Sequence, residues 1–275
     1  MKPVFEILPD TVDAEKSILV CEISNQGFSY AIKNEEQNMY VGVAVFHFNK
    51  NTVGQNDANI LQEIISQQSL LSQKFKKVCI SFSYGESVLV PFELYNSAES
   101  DNVLNLIHGD IQNKAIVLTD LVTEKKVYNA YRVPADIIKI LTKRFPNAIN
   151  RHQYSALLKQ TSETGNKLLV IFYPQKIVVR LIKNGNVEFI NNFDYRAAED
   201  VSYILLNVCK QFEVANVPLE VSGLIDKDSG LYKEIYKYFE SVQFATLSPE
   251  SNYVEAINQH PAHYFSHIFA FDTCE

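Results

Sequence analysis

The strongest constraint on the fold of this chain is a strand–turn–strand pattern that occurs twice. Residues 18–34 read ILVCEISNQGFSYAIKN, and residues 168–184 read LLVIFYPQKIVVRLIKN. Aligned without gaps at an offset of 150, the two stretches share the same residue at five positions. Apolar and β-branched residues on both sides of a short turn are typical of a buried β-hairpin. The repetition therefore predicts a chain built from two similar halves.

The segments that follow the two copies also correspond. Each copy is followed by a strand, by a helix whose apolar residues recur at helical spacing, and by a further short strand. The predicted ranges are 39–48, 59–75 and 77–82 in the first half, and 187–195, 197–212 and 218–223 in the second. Each half is therefore predicted to be an α/β unit with a β-β-β-α-β core, in which the helix covers one face of a mixed sheet.

This duplicated order of elements resembles the actin-like ATPase superfamily, whose two lobes have ribonuclease H-like folds. Sugar kinases, heat-shock chaperones and bacterial cell-division and pilus-assembly ATPases belong to that superfamily. The resemblance covers nearly the whole chain and rests on topology and on the order of the repeats. The chain looks most like a small bacterial family of unknown function with this fold, and the pilus-assembly ATPases are its nearest functional analogue. The resemblance implies two lobes with a nucleotide cleft between them.

The predicted boundary between the lobes lies at Pro146 and Asn147, because these residue types favour turns and loops. Lobe one is then predicted at 1–147 and lobe two at 148–275. Pro261 is expected to open a final helix at 261–270, since proline suits the first turn of a helix. The resemblance implies that this helix returns to lobe one.

The composition predicts a folded protein of the reducing cytoplasm. The chain is 47% hydrophobic with 17 Phe and 15 Tyr, and a net charge of −7 argues against binding to nucleic acid or to a membrane surface. The four cysteines form no CxxC pair, so neither structural zinc nor a disulfide framework is expected. The N-terminus lacks the apolar core of a signal peptide, and no apolar run is long enough to span a membrane.

The resemblance also directs attention to the turn between the first two strands of each half. In ATP-hydrolysing members this turn has an Asp-x-Gly pattern, whose glycine lets backbone N–H groups approach phosphate and whose carboxylate holds the metal. In the first half the matching segment keeps a carboxylate in Glu22, has Ser24 in place of the glycine, and reaches Gly27 three residues later. In the second half the match is Phe172-Tyr173-Pro174, which has no carboxylate and no glycine. Both turns are therefore predicted to be degenerate.

A third candidate turn follows the last core strand of the second half. The superfamily places a Gly-rich turn there against the adenosine, and this chain has Ser222 and Gly223, with one glycine where two are usual. If a nucleotide bound, the resemblance implies that residues from both halves would line the cleft. These candidate residues are Glu22, Ser24, Asn25, Gly27, Ser222 and Gly223.

Other patterns that can carry chemistry are weak. No GxxxxGK[ST] and no GxGxxG motif occurs, and no partnered Ser-His-Asp set can be argued, so no catalytic residue is predicted. His263 and His267 are spaced so that one helix face could hold zinc, but no glutamate stands between them as in HExxH. Asp226-Lys-Asp-Ser-Gly230 begins like a calcium loop and lacks the glutamate of position twelve. Helix packing and a helix-capping turn explain these two segments better, and no metal is expected.

Two functional hypotheses follow. The first is a noncatalytic actin-like scaffold that binds a protein partner and needs no cofactor, and homo-oligomers or filaments are compatible with it. Its basis is the loss of the Asp-x-Gly pattern in both halves. The second is an ATP-dependent protein with Mg²⁺ and a rebuilt phosphate site, either an assembly ATPase or a small-molecule kinase.

Overall fold

The two predicted hairpins form the centres of two mixed β-sheets. The protein is described here by a computed structural model that covers residues 2–48, 56–110, 114–159 and 165–271. Within these ranges the first sheet has seven strands in the order β1-β4-β3-β2-β5-β9, and β15 also pairs with β4. Its strands are β1 Phe5–Ile7, β2 Ser17–Ile23, β3 Gly27–Asn34, β4 Met39–His47, β5 Lys77–Phe82, β9 Ile149–His152 and β15 Asn252–Tyr253.

The second sheet repeats the core of the first. Its five described strands have the order β12-β11-β10-β13-β14. They are β10 Lys167–Phe172, β11 Lys176–Lys183, β12 Asn186–Asp194, β13 Leu219–Gly223 and β14 Val242–Phe244. In the first sheet β2, β3 and β4 are antiparallel and β5 and β9 join in parallel, and in the second sheet β10, β11 and β12 are antiparallel and β13 and β14 join in parallel. The prediction of duplicated β-β-β-α-β units is therefore confirmed.

A shared irregularity strengthens the correspondence of the two sheets. The ladder between β3 and β4 shifts register between Ile32 and Lys33. The ladder between β11 and β12 shifts register between Leu181 and Ile182. A β-bulge bends its strand and increases the local twist, so the second and third strands of the two units are deformed at the same place.

The offset of 150 used to align the two hairpins is wrong by one residue. In the first sheet Leu19 and Ile23 face the hydrophobic core, and in the second Leu168 and Phe172 do so. The correct offset is therefore 149, because a slip of one residue would move every side chain to the other face of its strand. The identity of Leu19 with Leu169 is accordingly not a structural correspondence.

Helices cover the sheets and connect their strands. They are α1 Asp57–Gln67, α2 Ser100–His108, α3 Ala135–Arg144, α4 Gln153–Lys159, α5 Ala198–Gln211, α6 Gly230–Tyr236, α7 Glu255–Asn258 and α8 Ser266–Phe269. Helix α1 begins where the Asn56 side chain accepts the N–H of Asn59 at 2.8 Å, an N-cap. It buries Ile60, Leu61 and Ile64 among other residues against the first sheet. The predicted helix at 59–75 ends earlier, and a short 3₁₀ segment carries the chain onward.

An insertion between β5 and β9 forms a third sheet. Its strands have the order β6-β8-β7 and comprise β6 Ser87–Pro91, β7 Ala115–Val122 and β8 Val127–Pro134. Tyr131 and Val133 of β8 join the core of the first sheet. On the other face the buried Arg132 donates to the carbonyl of Gly109 at 3.0 Å and pairs with Glu86 at 3.0 Å. The bond to Gly109 attaches the end of α2 to β8 of the inserted sheet.

The chain divides into two compact units. Unit 1 comprises Met1–Lys159, Ser251–Ile257 and Ile268–Glu275, and unit 2 comprises Gln160–Glu250 and Asn258–His267. The predicted division at 147/148 lies before β9, which pairs in parallel with β5 and so belongs to unit 1. A strand pair distant in sequence thus moves the division toward the C-terminus.

The C-terminal segment is more broken than the single helix predicted at 261–270. A 3₁₀ turn at Ala262–Tyr264 and the short α8 replace it, because Phe265 between them leaves helical geometry at φ −121 and ψ −11. Within unit 1, the Tyr40 hydroxyl donates to the carbonyl oxygen of Phe269 at 2.7 Å. Their rings lie 4.3 Å apart.

Two further expectations concern cysteines and membrane spans. Cys21, Cys79 and Cys209 are buried as thiols, and Cys274 lies outside the described residues. Burial suits cysteine as a small apolar residue. None of the helices in the described ranges is long and apolar enough to cross a membrane.

Candidate functional site

The Glu22 carboxylate, the predicted metal ligand of the first turn, lies inside unit 1. Its side chain is 3% exposed near the end of β2. The Ser83 hydroxyl donates to its Oε1 at 2.6 Å, and the Gln153 amide donates to the same atom at 3.2 Å. Hydrogen bonds of this kind stabilise a buried carboxylate by replacing the water that it has lost. Glu22 therefore links β2 to the segment after β5 and to the start of α4.

The turn that joins β2 to β3 is closed by its own hydrogen bonds. The Ser24 N–H donates to the carbonyl of Gly27 at 3.0 Å, and the Gln26 N–H donates to Ser24 Oγ at 3.1 Å. The Gln26 carbonyl accepts the N–H of Phe48 at 2.8 Å. Ser24 is buried, whereas Asn25 is exposed at the tip. The Ser24 hydroxyl thus accepts the Gln26 N–H, a donor that a phosphate-binding turn would direct at its ligand.

The need for glycine at position 27 has a reason that involves no ligand. A Cβ built on Gly27 would lie far inside van der Waals contact of the Phe46 carbonyl oxygen on β4. Gly27 is the first residue of β3, where the antiparallel ladder pairs it with His47. The close approach of two strands therefore excludes a side chain there.

In unit 2 the corresponding turn consists of Tyr173, Pro174 and Gln175. The Tyr173 N–H donates to the Lys176 carbonyl at 2.9 Å, as Ser24 does to Gly27 in unit 1. Pro174 has no N–H to donate. The Tyr195 hydroxyl donates to the Tyr173 carbonyl at 2.9 Å, and the His267 ring stands edge-on to the Tyr173 ring at 5.6 Å. An aromatic cluster therefore surrounds this turn.

The end of β13 carries the last two predicted site residues. Gly223 has φ +86, a conformation that favours glycine, and a Cβ there would collide with the backbone of Phe172 on β10. Ser222 is buried on the same strand, which pairs in parallel with β10. The packing of β13 beside β10 therefore explains this glycine as fully as a ligand would.

The structure brings four of the six candidate residues together. Glu22, Ser24, Asn25 and Gly27 belong to the β2–β3 hairpin of unit 1, and Ser222 and Gly223 belong to the end of β13 in unit 2. By the corrected offset, the position of Glu22 is occupied in unit 2 by Ile171, and that of Gly27 by Lys176. The absence of a carboxylate from the second turn remains after this correction.

Lys176 is a residue of the second turn that the sequence reading missed. Its side chain is 2% exposed, and its ammonium lies 4.8 Å from the centre of the Tyr173 ring. A cation over an aromatic face is stabilised by the negative face of the ring. A lysine directly after a short turn was the available signal, but the alignment at 150 placed it opposite Gln26 instead of Gly27.

A second polar cluster, also missed, lies where the insertion meets the first sheet. The Asp120 carboxylate on β7 accepts the His152 N–H at 2.6 Å and the Tyr131 hydroxyl at 3.1 Å. Burial raises the pKa of Asp120, and the hydrogen bonds from Ser155, His152 and Tyr131 oppose that rise. Burial likewise raises the pKa of Tyr131, and the adjacent Asp120 adds to this effect. Asp120 thereby holds the inserted sheet to β9.

The tautomer of His152 follows from its partners. The Tyr154 N–H can only donate, and it lies 3.1 Å from His152 Nδ1, which must therefore accept. The proton is then on Nε2, which donates to the Tyr84 carbonyl at 2.9 Å. With both ring nitrogens hydrogen-bonded inside unit 1, this histidine has a structural role.

The histidine pair near the C-terminus does not form the predicted helical spacing. His263 lies in the 3₁₀ turn and His267 in α8, because the chain leaves helical geometry between them. His263 Nε2 lies 2.8 Å from the Ile225 carbonyl, and burial lowers its pKa. No group of three or more potential metal-binding side chains occurs in the part of the chain that the structure describes.

Asp226, at the start of the calcium-like segment, is hydrogen-bonded to the Tyr264 hydroxyl. This bond and burial together raise the pKa of Tyr264 to about 12. The Ser229 side chain accepts the N–H of Tyr232 at 3.1 Å and caps α6. The helix-capping turn predicted for this segment is therefore present.

Comparisons with known proteins agree with this architecture. Residues 9–242 match the family described as "Protein of unknown function (DUF3822)". No curated protein matches the chain. A Bacteroides thetaiotaomicron protein with an actin-like ATPase fold and unknown function has a TM-score of 0.78 at 20% identity, over 96% of this chain and 100% of that one.

Two more distant structures share the fold. A chain of the PilM–PilN type IV pilus biogenesis complex has a TM-score of 0.58 at 9% identity, over 92% of this chain and 97% of that one. The ethanolamine utilization protein EutJ from Carboxydothermus hydrogenoformans has a TM-score of 0.51 at 9% identity, over 96% and 91%. With its two mixed sheets and their shared topology, this chain has the actin-like ATPase fold and belongs to the DUF3822 family of proteins of unknown function.

Proposed function

We propose that this protein is a noncatalytic member of the actin-like fold and acts by binding a partner protein. The observation that carries the proposal is the closure of both hairpin turns by hydrogen bonds within the protein. A phosphate-binding turn works by presenting backbone N–H groups to the ligand. Here the N–H groups of Ser24, Gln26 and Tyr173 already have acceptors within the protein, and Pro174 has no N–H.

The turn of unit 1 supports the proposal through two donors. The N–H groups of Ser24 and Gln26 donate to Gly27 O and to Ser24 Oγ. A phosphate would have to displace both bonds before it could accept from these groups. Each intramolecular hydrogen bond contributes about 1 kcal/mol, so the displacement would subtract directly from the binding free energy.

The carboxylate beside that turn supports the proposal in a second way. Glu22 accepts from Ser83 and Gln153 while almost fully buried. A divalent cation takes carboxylate oxygens and water in a wet site. Glu22 Oε1 instead accepts hydrogen bonds from Ser83 and Gln153, and so stabilises the contact between β2 and the start of α4.

The turn of unit 2 also supports the proposal, because aromatic side chains surround it where a phosphate-binding turn would contact its ligand. Pro174 has no N–H, and Tyr173 is surrounded by Tyr195, Lys176 and His267. Tyrosine and phenylalanine favour packing and protein contacts over phosphate binding. A protein-binding role also has a precedent in this fold, because a chain of the PilM–PilN complex shares it.

A nucleotide-binding function with a rebuilt phosphate site is the second candidate. The observation that favours it is Lys176, a cation at the turn where unit 1 has Gly27. Under this second candidate, the residues predicted from the resemblance to bind ATP and Mg²⁺ in unit 1 would include Glu22 and Ser24. The burial of Lys176 against Tyr173 favours a structural role, so this function is second.

Calorimetric titration with Mg-ATP separates the two functions. We expect no binding tighter than about 100 μM, which corresponds to about −5.5 kcal/mol. An actin-like ATPase that hydrolyses ATP serves as the positive control in the same buffer. Magnesium-dependent binding in the low micromolar range that is lost in Lys176→Met would contradict the noncatalytic proposal, provided that the variant unfolds at the same urea concentration as the wild type.

A further inference from the structure

Strand β14 is an outer strand of the second sheet and corresponds to β9 of the first. Each joins its sheet in parallel, β9 beside β5 and β14 beside β13. In unit 1 the inserted sheet contacts this edge, because the Asp120 carboxylate accepts the His152 N–H of β9 at 2.6 Å. In unit 2 the connection from β13 to β14 contains α6 and no inserted sheet. The two sheets therefore differ in what lies beside this edge.

The ladder between β13 and β14 identifies the backbone groups that point outward. The Ser241 carbonyl accepts an N–H of β13, and the Ala245 N–H donates to a carbonyl of β13, each at 2.9 Å. Along a strand, the N–H and C=O of one residue point to one side and those of the next residue point to the other. The backbone groups of Val242 and Phe244 are therefore directed away from β13.

These outward groups are open to a further strand. The backbones of Val242 and Phe244 form no hydrogen bond with any residue in the described ranges, and β14 pairs there with β13 alone. Natural sheet edges are protected by proline, by charged residues and by bulges. Residues 241–248, SVQFATLS, contain no proline and no charged residue, and the register between β13 and β14 has no shift.

We propose that β14 is the interface of a homodimer, in which the β14 strands of two copies pair antiparallel about a two-fold axis at Gln243. The two five-stranded sheets then form one continuous sheet. Such an interface is isologous, because the same residues contribute from both copies. Val242 of each copy lies opposite Phe244 of the other, and each such pair exchanges both of its backbone hydrogen bonds. The homodimer goes beyond the proposed binding of a partner protein and does not depend on it.

The side chains in this register are complementary to themselves. Val242 and Phe244 are half-buried against the core of unit 2, so on that face each would contact the other's counterpart in the second copy. On the opposite face the exposed Gln243 would contact Gln243 of the second copy, and two amides can donate to and accept from each other. Both kinds of cross-strand pair stabilise an antiparallel ladder.

The charges near β14 favour a second copy over a charged segment of another protein. Residues 241–248 are uncharged, so the edge has no electrostatic basis for selecting an acidic or a basic partner. Glu240, just before the strand, would lie opposite Thr246 of the second copy. The pairing therefore places no like charges opposite each other, an arrangement that would destabilise the ladder.

A row of aromatic rings beside the edge adds apolar area to the contact. The Tyr232 ring of α6 stacks on Phe244 at 5.2 Å and on Tyr236 at 5.9 Å. Tyr232 is buried, whereas Tyr236 is 58% exposed. The row therefore leads from the edge strand to an exposed ring on the core-facing side of the sheet. Pairing of the two β14 strands would place both rows on the same side of the continuous sheet, and tyrosine and phenylalanine are enriched in interfaces.

The first test is sedimentation equilibrium of the full-length protein, over a concentration series that reaches hundreds of micromolar. We expect a reversible equilibrium between monomer and dimer. Hydrogen exchange at low and at high protein concentration locates the contact. The amides of Val242 and Phe244 should exchange more slowly in the dimer, because they become hydrogen-bonded there.

Gln243 permits a charge-swap test, because it lies opposite itself at the two-fold axis. Gln243→Lys and Gln243→Glu each place two like charges at the axis, and we expect each to weaken dimerisation about threefold or more. An equimolar mixture should recover the lost affinity, because lysine then lies opposite glutamate. Gln243 is exposed, so neither change removes a core contact, and urea unfolding of each variant checks that the fold is kept.

The matched backbone variants are Val242→Pro and Val242→Ala. Both shorten the apolar side chain, but only proline removes the outward N–H, and neither change affects a hydrogen bond to β13. Because the two-fold axis doubles the loss, we expect Val242→Pro to dimerise at least about tenfold more weakly than Val242→Ala. Equal urea midpoints for the two variants exclude misfolding as the cause.

Four results would overturn the homodimer. They are a wild type that stays monomeric throughout the concentration series, equal dimerisation of the two Val242 variants, wild-type affinity in both Gln243 variants, and no recovery in their mixture. A monomeric wild type would leave the edge to a strand of another protein. The Mg-ATP titration is independent of these results, so failure of the homodimer leaves the noncatalytic proposal standing.

Discussion

At the scale of single residues, the glycines of the candidate turns are explained by the backbones beside them. Phe46 O approaches Gly27, and Phe172 approaches Gly223, so closely that no Cβ could fit. Glycine is the residue used wherever two backbones come this close. A glycine near a turn is therefore insufficient to indicate a phosphate site, and the hydrogen bonds of the turn decide the matter.

Gly27→Ala should destabilise unit 1 by at least about 2 kcal/mol, because the new methyl group would have to separate β3 from β4. The measurement is urea unfolding of the full chain. Gly230→Ala is the control, since no atom lies within 4 Å of a Cβ at that helical position. It should be neutral or stabilise by up to about 1 kcal/mol. Similar losses in both variants would contradict this account of Gly27.

His263 should make folding stability depend on pH. Burial lowers the pKa of its imidazole below the ordinary value near 6.5, so the unfolded chain binds a proton more readily than the folded one. The contribution of the neutral His263 side chain to the free energy of unfolding is complete above about pH 6.5. It is lost as the pH falls from 6.5 through the lower pKa of the folded state.

The measurement compares urea unfolding of the wild type and His263→Gln across this pH window. Glutamine can still donate to the Ile225 carbonyl but cannot be protonated. The variant should therefore lose less stability between neutral and mildly acidic pH. His260→Gln, at an exposed position in the same segment, serves as the control. The same dependence of unfolding free energy on pH in the wild type and in His263→Gln would contradict the prediction.

At the scale of elements, helix ends depend on single polar side chains next to the apolar pattern. Asn56 caps α1 by accepting the N–H of Asn59 at 2.8 Å. Asn56→Ala should cost about 1 kcal/mol, the usual effect of losing such a cap. Asn59→Ala is a matched control on the exposed side of the same helix and should be neutral or slightly stabilising, because alanine favours helix more than asparagine does. Urea unfolding measures both, and equal costs would count against the cap.

At the scale of the whole molecule, the proposed loss of nucleotide binding predicts an unchanged thermal midpoint. A ligand present at 1,000 times its Kd stabilises the folded state by about 4 kcal/mol. Millimolar Mg-ATP would therefore raise the midpoint measurably if the Kd were micromolar. We expect no shift with Mg-ATP or Mg-ADP, and a magnesium-dependent rise would favour the second candidate function.

The fold at this scale was largely predictable because its signals are local. The short, mostly apolar run of β5 predicted the bounds 77–82 that the structure has, and the apolar spacing of α5 placed that helix within one residue at each end. The candidate site was predictable only in its residue types. Whether the Gln26 N–H is available to a ligand or is bonded to Ser24 Oγ depends on the rotamer of the Ser24 side chain. No residue pattern specifies that rotamer.

The sequence by itself determined the two β-β-β-α-β units, since strand and helix periodicity depend on neighbouring residues alone. Tertiary structure alone decided the offset of 149 and the pairing of β9 with β5. It also decided the hydrogen bonds that join Asp120 to His152 and Glu22 to Gln153. These features each join residues far apart in the chain, and their free energy comes from burial and hydrogen bonds that exist only after the sheets have packed.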